Sequence, residues 1–310
     1  MYNVKDIGKI AVLAGGPSSE RDISIKSGLA VYNALKFEGC DVEWVEIDGG
    51  NIQKMLKSIA FDVAFIALHG RFGEDGTIQR ILERMSIPYT GSGVMASRLA
   101  LDKIASRRIF EGRGIPVPEY KVIDRRSGKQ PDGFLLPVVV KPQKEGSSIG
   151  LSLARNRREF NRACKTAFEY GDKIIVEKFI KGREVTVGIL DKKPLPVVEI
   201  IPKRVFYDFY AKYNDNRTEY KVPAALPDRL YKKAQALGLA AHNSLDCFDF
   251  SRVDMLLGED NSIYVLEVNS IPGLTERSLL PKAAGAAGMI FSKLCLKLLQ
   301  LAIKNRGRKK

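Results

Sequence analysis

Long apolar runs are missing from this sequence of 310 residues. A membrane-spanning helix needs roughly 18 to 20 consecutive apolar residues, and no stretch reaches that length. The opening segment, MYNVKDIGKIAVLAGG, has no long apolar core followed by a cleavage site, and its IAVLAGG part is typical of a first strand and turn. We therefore expect a cytoplasmic protein that does not enter a membrane.

Cysteine and histidine are scarce, with four and two copies. The cysteines are far apart in the chain, so none of the short spacings that form zinc or redox sites occurs: Cys40, Cys164, Cys247 and Cys295. Reduced thiols are the expectation for such a chain. The phosphate-binding pattern G-x-x-x-x-G-K-[ST] is also absent, which excludes a P-loop.

Acidic residues are outnumbered, because 36 Asp and Glu accompany 50 Lys and Arg and leave a net charge of +14. Such an excess fits a nucleic-acid partner, and it fits equally a site for polyanionic nucleotides. No nucleic-acid-binding motif accompanies the charge, so we expect no nucleic-acid partner. With 45% hydrophobic and 28% charged residues, the composition is that of a globular protein.

The first hundred residues alternate between strand-like and helix-like segments, beginning with KIAVLAGG and SERDISIKSGLAVYNALKFEG. This alternation predicts a mostly parallel sheet that binds ligands at the carboxyl ends of its strands, where GGPSSE and HGRFGEDG lie. From Leu101 the pattern changes to a smaller α+β unit, and residues 190–310 return to strands and a final helix. We predict an α/β protein with three lobes: residues 1–102, 103–188 and 189–310.

The segment RVDMLLGEDNSIYVLEVNSIPGLTERSLLP, residues 252–281, places acids within runs that otherwise have the composition of buried strands. Side chains alternate along a strand, which predicts one common face for four residues: Ile263, Val265, Glu267 and Asn269. The turn GEDNS predicts an antiparallel hairpin that brings Arg252 and Asp254 close to them. Buried carboxylates are normally paired or bound to metal, and oxygen-rich sets suit Mg²⁺. A solvated hairpin face with one Arg–Asp pair explains the same residues.

Two further segments suit a nucleotide. KPQKEGSSIG begins with Lys141 at the end of an apolar strand, and its backbone N–H groups and hydroxyls could bind phosphate oxygens. An ordinary hairpin loop is the alternative for that segment. VEKFIKGRE places Glu177 at a strand end and Glu184 seven residues later, a weak signal for contacts to adenine and ribose.

Two single residues and one motif that resembles a dinucleotide-binding pattern remain. Glu20 lies in the first turn of a predicted helix, where it either compensates the helix dipole or binds a substrate ammonium group. His69 lies at a strand end before a glycine, and a structural role and a functional role are both open. The G-x-G-x-x-A pattern at residues 91–96 lies late in its lobe rather than after the first strand, so we do not expect NAD.

Together and in this order, these segments resemble the D-alanine–D-alanine ligases of the ATP-grasp superfamily. The matching stretches lie between residues 13 and 284: LAGGPSSERDISIKSG, LHGRFGEDGTIQRILERMSIPYTGSGVMASRLALDK, VVKPQKEGSSIGLS, VEKFIKGREVTVG, FYDFYAKY and RVDMLL…YVLEVNSIPGLTERSLLPKAA. HG-x-x-GEDG and LEVN-x-x-PG-x-T-x-x-SL-x-P are the specific patterns. The resemblance implies a three-lobed ATP-grasp fold with a parallel-sheet N-terminal domain, ATP between the central and C-terminal lobes, and a homodimer.

The resemblance also implies residue roles. Contacts to ATP fall on one set: Lys103, Lys141, Glu145, Ser147, Ser148, Glu177, Lys178, Phe179, Ile180, Glu184 and Lys212. Two Mg²⁺ or Mn²⁺ ions fall on a second set: Asp254, Glu267 and Asn269. Substrate binding and catalysis fall on a third: Glu20, His69, Ser147, Tyr213, Arg252, Gly273, Ser278 and Leu279.

The implied reaction joins two D-alanines for peptidoglycan precursors. The carboxylate of the first attacks the γ-phosphate of ATP, and the amine of the second attacks the resulting acyl phosphate. Glu20 would hold the first ammonium group, while Arg252 and the Gly273 N–H would stabilise the oxyanion. The pair Lys212-Tyr213 favours D-alanine over D-lactate as acceptor. The alternatives are a related ligase that uses D-lactate or D-serine, and a non-catalytic nucleotide- or nucleic-acid-binding protein.

Overall fold

The computed structural model describes residues 7–49, 52–127, 135–202 and 218–305. Its N-terminal part is a parallel sheet in the order β2-β1-β3, as the alternating pattern predicts: β1 Ile10–Gly15, β2 Val42–Ile47 and β3 Val63–Ile66. Every residue of β1 is buried, which is typical of a central parallel strand. The predicted strand IPYTG is reduced to a single bridge between Tyr89 and Ala64.

Up to residue 101, the described part of the chain has four helices: α1 Arg21–Phe37, α2 Ile52–Lys57, α3 Thr77–Arg84 and α4 Val94–Leu101. α1 buries Val31 and Leu35 in the same apolar cluster as Ile10 and Val12 of β1. The loops that leave β1 and β3 therefore meet at one edge of this sheet, where ligands of parallel sheets bind.

The central part is a four-stranded antiparallel sheet in the order β4-β7-β5-β6: β4 Tyr120–Asp124, β5 Val138–Pro142, β6 Ser152–Ala154 and β7 Lys173–Lys178. α5 (Lys103–Gly112) precedes it, and the Asp102 side chain caps this helix by accepting from the N–H groups of Ile104 and Ala105. α6 (Arg157–Phe168) covers one face of the sheet with Phe160 and two alanines.

The C-terminal part has a six-stranded antiparallel sheet: β8 Gly182–Leu190, β9 Lys193–Pro194, β10 Val198–Ile201, β11 Glu219–Lys221, β12 Phe250–Gly258 and β13 Ile263–Asn269. Its order is β11-β10-β8-β12-β13, and β9 pairs with β8. Among its described residues, three helices complete this part: α7 Asp228–Ser244, α8 Leu279–Ala286 and α9 Phe291–Lys304. Leucines of α9 pack into the cluster that also holds the core of β1, so the last helix joins the first and last parts of the chain.

The change from the second sheet to the third falls between β7 and β8. β8 thus pairs with C-terminal strands, although the predicted central lobe extends to residue 188. The residue bounds of the three lobes stay a prediction, and we propose that the second boundary lies at the short link between residues 178 and 182.

The hairpin of β12 and β13 is antiparallel, as predicted, and Asp254 lies opposite Glu267. One expectation is wrong, namely the common face of Ile263, Val265, Glu267 and Asn269. The pairing register shifts just after Asp254, so Leu266 is an extra residue in β13, and such a β-bulge reverses the side-chain alternation. Ile263, Val265 and Val268 consequently lie in the core, whereas Glu267 and Asn269 line cavities.

The four cysteines are free thiols. Among the described residues, no single helix is long and apolar enough to cross a membrane. α8 and α9 pass that test of length and composition only as a pair, bent by 102°.

Candidate active site

Two cavities lie side by side, with volumes of about 510 and about 710 Å³. The smaller lies between the second and third sheets, and we call it the nucleotide cavity. The larger reaches the loops after β1 and β3, and we call it the substrate cavity. Lys103, Glu145 and Glu267 line both, so the two spaces meet at these side chains.

The structure brings together every described residue predicted for the site. Nine line only the nucleotide cavity: Lys141, Ser148, Glu177, Lys178, Phe179, Ile180, Glu184, Asp254 and the neighbouring Ile149 of the predicted phosphate loop. Eight line only the substrate cavity: Glu20, His69, Ser147, Arg252, Asn269, Gly273, Ser278 and Leu279. Lys212 and Tyr213 lie outside the described residues.

The inner end of the nucleotide cavity holds buried charges. Lys141 lies on β5 and its Nζ is 2.7 Å from Oε2 of Glu177, on the neighbouring strand β7. The Nζ of Lys103 donates to the backbone carbonyl of Glu145 at 2.6 Å and lies 3.2 Å from Oε2 of Glu267. Two ammonium groups are thereby held where the predicted phosphate loop begins.

Glu20 lies at the junction of three segments. It is 5% exposed, and its carboxylate accepts a short hydrogen bond from the hydroxyl of Ser147 in the phosphate loop. A Cβ added at Gly146 would lie 2.7 Å from Oε2 of Glu20, and one added at Gly70 would lie 2.6 Å from it. Glycine at both positions therefore makes room for this carboxylate.

Glu20 does not cap its helix, because the side chain makes no cap hydrogen bond at the start of α1. Burial raises the pKa of this carboxyl, and the nearby Glu74 raises it further, while His69 and the Ser147 hydroxyl oppose the shift. A buried acid that lines a cavity and does not cap its helix is better explained as a binding group than as compensation of the helix dipole.

His69 is held from two sides. One ring nitrogen, Nε2, is 3.0 Å from the hydroxyl of Ser27, and the other, Nδ1, is 3.1 Å from the backbone carbonyl of Ile271. Glu74 is 3.8 Å from Nδ1 and accepts from the N–H of Gly70. The imidazole is thus fixed at the wall of the substrate cavity.

The carboxylate of Asp254 accepts hydrogen bonds from three side chains. Arg252 binds it through two nitrogens at 2.8 and 2.7 Å, the hydroxyl of Thr186 donates at 2.6 Å, and the amide of Asn269 donates at 3.0 Å. Asp254, Glu267 and Asn269 supply hard oxygen donors at adjoining positions of one hairpin, which fits Mg²⁺ because this ion takes few protein ligands and completes its shell with phosphate and water. Within the described ranges, no cluster of three or more His, Cys, Asp or Glu side chains forms a metal site by itself.

The far end of the substrate cavity is the start of α8. Ser278 precedes its first residue, Leu279, and the Ser278 Oγ accepts from the N–H of Thr275 at 3.1 Å. Unpaired N–H groups and the positive end of a helix favour an anion at this position. Gly273 is close by, since a Cβ there would lie 3.1 Å from the Ser278 Oγ.

Several residues around the site were not predicted, notably Glu74, Arg107 and Thr186. Arg107 follows Lys103 by four positions, so both lie on one face of α5, and this spacing was a usable signal. Thr186 contacts Asp254 across paired strands, and no feature of the sequence near either residue reveals that contact.

Known proteins share both the sequence and this architecture. Residues 109–300 match the family model of the D-ala D-ala ligase C-terminus, and residues 49–92 match that of the N-terminus. The chain is 49% identical over 296 residues to the D-alanine–D-alanine ligase of Geotalea uraniireducens, with 95% of each chain covered. It is 47% identical over 305 residues to that of Geobacter sulfurreducens, with 96% of each covered.

A solved structure gives the same result. The crystal structure of the Bacillus anthracis D-alanine–D-alanine ligase complexed with ATP superimposes with a TM-score of 0.86 at 33% identity, covering 98% of this chain and 100% of that one. This likeness confirms the predicted α/β, three-lobed ATP-grasp architecture. Both sequence and fold therefore show that the chain belongs to the D-alanine–D-alanine ligase family.

Proposed function

We propose that this protein joins two D-alanines to D-alanyl-D-alanine at the expense of ATP, through an acyl phosphate, and so supplies a peptidoglycan precursor. One observation carries the proposal: the nucleotide and substrate cavities meet at Lys103, Glu145 and Glu267. A carboxylate in one cavity would there face the terminal phosphate of a nucleotide in the other. Transfer between two bound substrates requires this adjacency.

In this proposal, the nucleotide cavity neutralises and orients ATP. Lys103 and Lys141 supply positive charge to the phosphates, and the loop from Glu145 to Ile149 closes over them. Glu177 to Ile180 meet the adenine, and Glu184 meets the ribose. Asp254, Glu267 and Asn269 would hold Mg²⁺ or Mn²⁺, which would offset the negative charge on the transferred phosphoryl group.

The substrate cavity would hold both amino acids. Glu20 binds the ammonium group of the first D-alanine, and its bond from Ser147 links that site to the loop over the phosphates. Arg252, with the Gly273 N–H, stabilises the oxyanion when the second amine attacks. Ser278 and the start of α8 receive the second carboxylate.

The acceptor is the finer part of the proposal. Lys212-Tyr213 favours D-alanine, and D-lactate or D-serine is the alternative acceptor. We also propose that the protein acts in the cytoplasm as a homodimer through its N-terminal lobe, as the family resemblance implies; light scattering of the purified protein tests the dimer.

The decisive assay measures phosphate release from ATP and Mg²⁺ with D-alanine, and then with excess D-lactate, while products are identified by mass. Release that matches D-alanyl-D-alanine formation supports the proposal. Depsipeptide as the main product would overturn the acceptor assignment, and folded protein without D-alanine-dependent release would overturn the reaction. The double variant Asp254→Ala, Glu267→Ala should lose turnover by orders of magnitude, whereas a non-catalytic binding protein would keep its partner.

A further inference from the structure

Arg107 on α5 is a charged residue with no exposed surface. One nitrogen of its guanidinium, Nη2, donates a short hydrogen bond to Oε1 of Glu177, and Nη1 donates to the backbone carbonyl of Val265 on β13 at 3.2 Å. Its Nε has no hydrogen-bond partner among the residues that the structure describes. The ring of Tyr120 lies 5.8 Å from the guanidinium carbon. Arg107 therefore connects α5 with a strand of each of the two sheets around the nucleotide cavity.

Arg107 shares its carboxylate partner with a residue of the nucleotide cavity. Glu177 gives Oε1 to Arg107 and Oε2 to Lys141, whose Nζ is 2.7 Å away. The three side chains are buried together and carry two positive charges and one negative charge. Lys141 and Glu177 line the cavity, whereas Arg107 lies behind them.

This arrangement determines how much charge faces the nucleotide. If Lys141 alone faced Glu177, the pair would be neutral, and the ammonium would be held by the carboxylate. With Arg107 bound to the other oxygen of Glu177, the three side chains together keep a net positive charge. Because Arg107 is buried behind Glu177, this charge acts only on a ligand in the nucleotide cavity. Although burial raises the pKa of Glu177, the charges of Arg107 and Lys141 hold that pKa below its usual range, so the carboxylate is ionised.

We propose that Arg107 is a positioning residue for nucleotide binding, which neutralises Glu177 from behind so that the charge of Lys141 remains available to the phosphates. This inference rests on the proposed function for the identity of the nucleotide. Arg107 should affect binding of the phosphates and not of the adenosine part. A residue that only stabilised the fold would affect both.

The test compares four variants by calorimetric binding of three probes: a non-hydrolysable ATP analogue, inorganic tripolyphosphate and adenosine. Arg107→Met removes the charge and keeps much of the length, and Arg107→Lys restores the charge. Arg107→Met with Glu177→Gln removes both opposite charges, so Lys141 is again uncompensated. Arg108→Met is the matched control, because Arg108 is the exposed neighbour on the same helix.

We expect Arg107→Met to weaken binding of the ATP analogue and of tripolyphosphate on the order of tenfold, within the range of coupling between neighbouring charges. Adenosine binding and the KM for D-alanine should stay at wild-type values. Arg107→Lys and the double variant should recover most of the loss, and Arg108→Met should show none.

Two results would overturn the inference. One is equal weakening of adenosine and tripolyphosphate, which indicates a brace. The other is a double variant that binds tripolyphosphate no better than Arg107→Met. If Arg107→Met does not fold, the double variant is compared with wild type and must bind tripolyphosphate, which does not reach the adenine contacts of Glu177, within about threefold. Binding needs no turnover, so these results are independent of whether D-alanine is the substrate.

Discussion

The variant Gly146→Ala, which adds one methyl group, should weaken binding of the first D-alanine and leave the other steps of the reaction unchanged. Gly146 lies in the phosphate loop next to Ser147, and its backbone has no positive φ that an alanine could not adopt. The new Cβ would lie 2.7 Å from Oε2 and 3.3 Å from Oε1 of Glu20. The atoms in conflict are the end of a flexible side chain, so the carboxylate should move and the backbone should not.

The size of the effect follows from these distances. Ordinary contact begins at 3.4 Å, so Oε2 must retreat by about 0.7 Å from its present 2.7 Å. A hydrogen bond between charged groups contributes about 1.5–3 kcal/mol, and such a displacement removes most of it. Gly146→Ala should therefore raise the KM for the first D-alanine by about 10- to 100-fold. The free energy of unfolding should change by less than about 1 kcal/mol, because no backbone contact is lost.

The assay is steady-state kinetics with separate variation of D-alanine and ATP, alongside urea unfolding. Gly171→Ala is the control, since a Cβ at Gly171 in the same lobe meets nothing within 4 Å. If Gly146→Ala and Gly171→Ala had the same KM for D-alanine, Glu20 would not be the ammonium site. An increase in the KM for ATP alone would place the effect on the phosphate loop instead.

Three further predictions concern stability. The pKa of Glu20 is raised in the folded state, so this group stabilises the fold below its unfolded pKa and loses that contribution as pH rises through the folded pKa. Glu20→Gln should therefore raise the melting temperature at neutral pH and make the melting temperature depend less on pH. Thermal unfolding scans across pH measure both effects. Phe72 has a φ of 74°, so Phe72→Gly should be about 1 kcal/mol more stable than Phe72→Ala in urea unfolding; equal stabilities would refute the strain. Asp102→Ala should cost about 1 kcal/mol through loss of the α5 cap and Asp102→Asn much less. Burial raises the pKa of Asp102, but Gln143 and the Ala105 N–H outweigh it, so the Asp102→Ala penalty should shrink as pH falls below the usual carboxyl range.

Local pattern was enough to predict the elements that hold the site. The strand, glycine-serine loop and strand around Lys141 form β5, the loop and β6, because a buried apolar run and a flexible polar link specify a hairpin by themselves. The acids of the β12–β13 hairpin likewise indicate a functional site, because carboxylates are unusual in strands with an otherwise buried composition. Their residue types, rather than their predicted face, identified the site.

The face of Glu267 could not be predicted, since a bulge depends on how two strands fit and not on the sequence of one. The extra residue is visible only in the pairing of the two strands. Asp254 lies opposite Glu267, but the next residue, Met255, lies opposite Val265, so Leu266 is skipped. The same reason applies to Arg107, whose partners Glu177 and Val265 are distant in sequence and come from two sheets. Contacts of this kind are made by tertiary packing, and a periodic pattern within one segment does not encode them.

The bulge also explains how one hairpin serves two cavities. Because Leu266 and Glu267 both line the nucleotide cavity, whereas Glu267 and Asn269 line the substrate cavity, Glu267 is common to both. Regular pleating would have sent Glu267 into the apolar cluster with Val265, where a carboxylate is costly to bury. The extra residue thus puts the carboxylate 3.2 Å from Lys103, at the junction where phosphate and substrate carboxylate would meet. Deleting Leu266 should therefore restore regular pairing and still leave Glu267 opposite Asp254 on the cavity side, because Glu267 would then follow the buried Val265 directly.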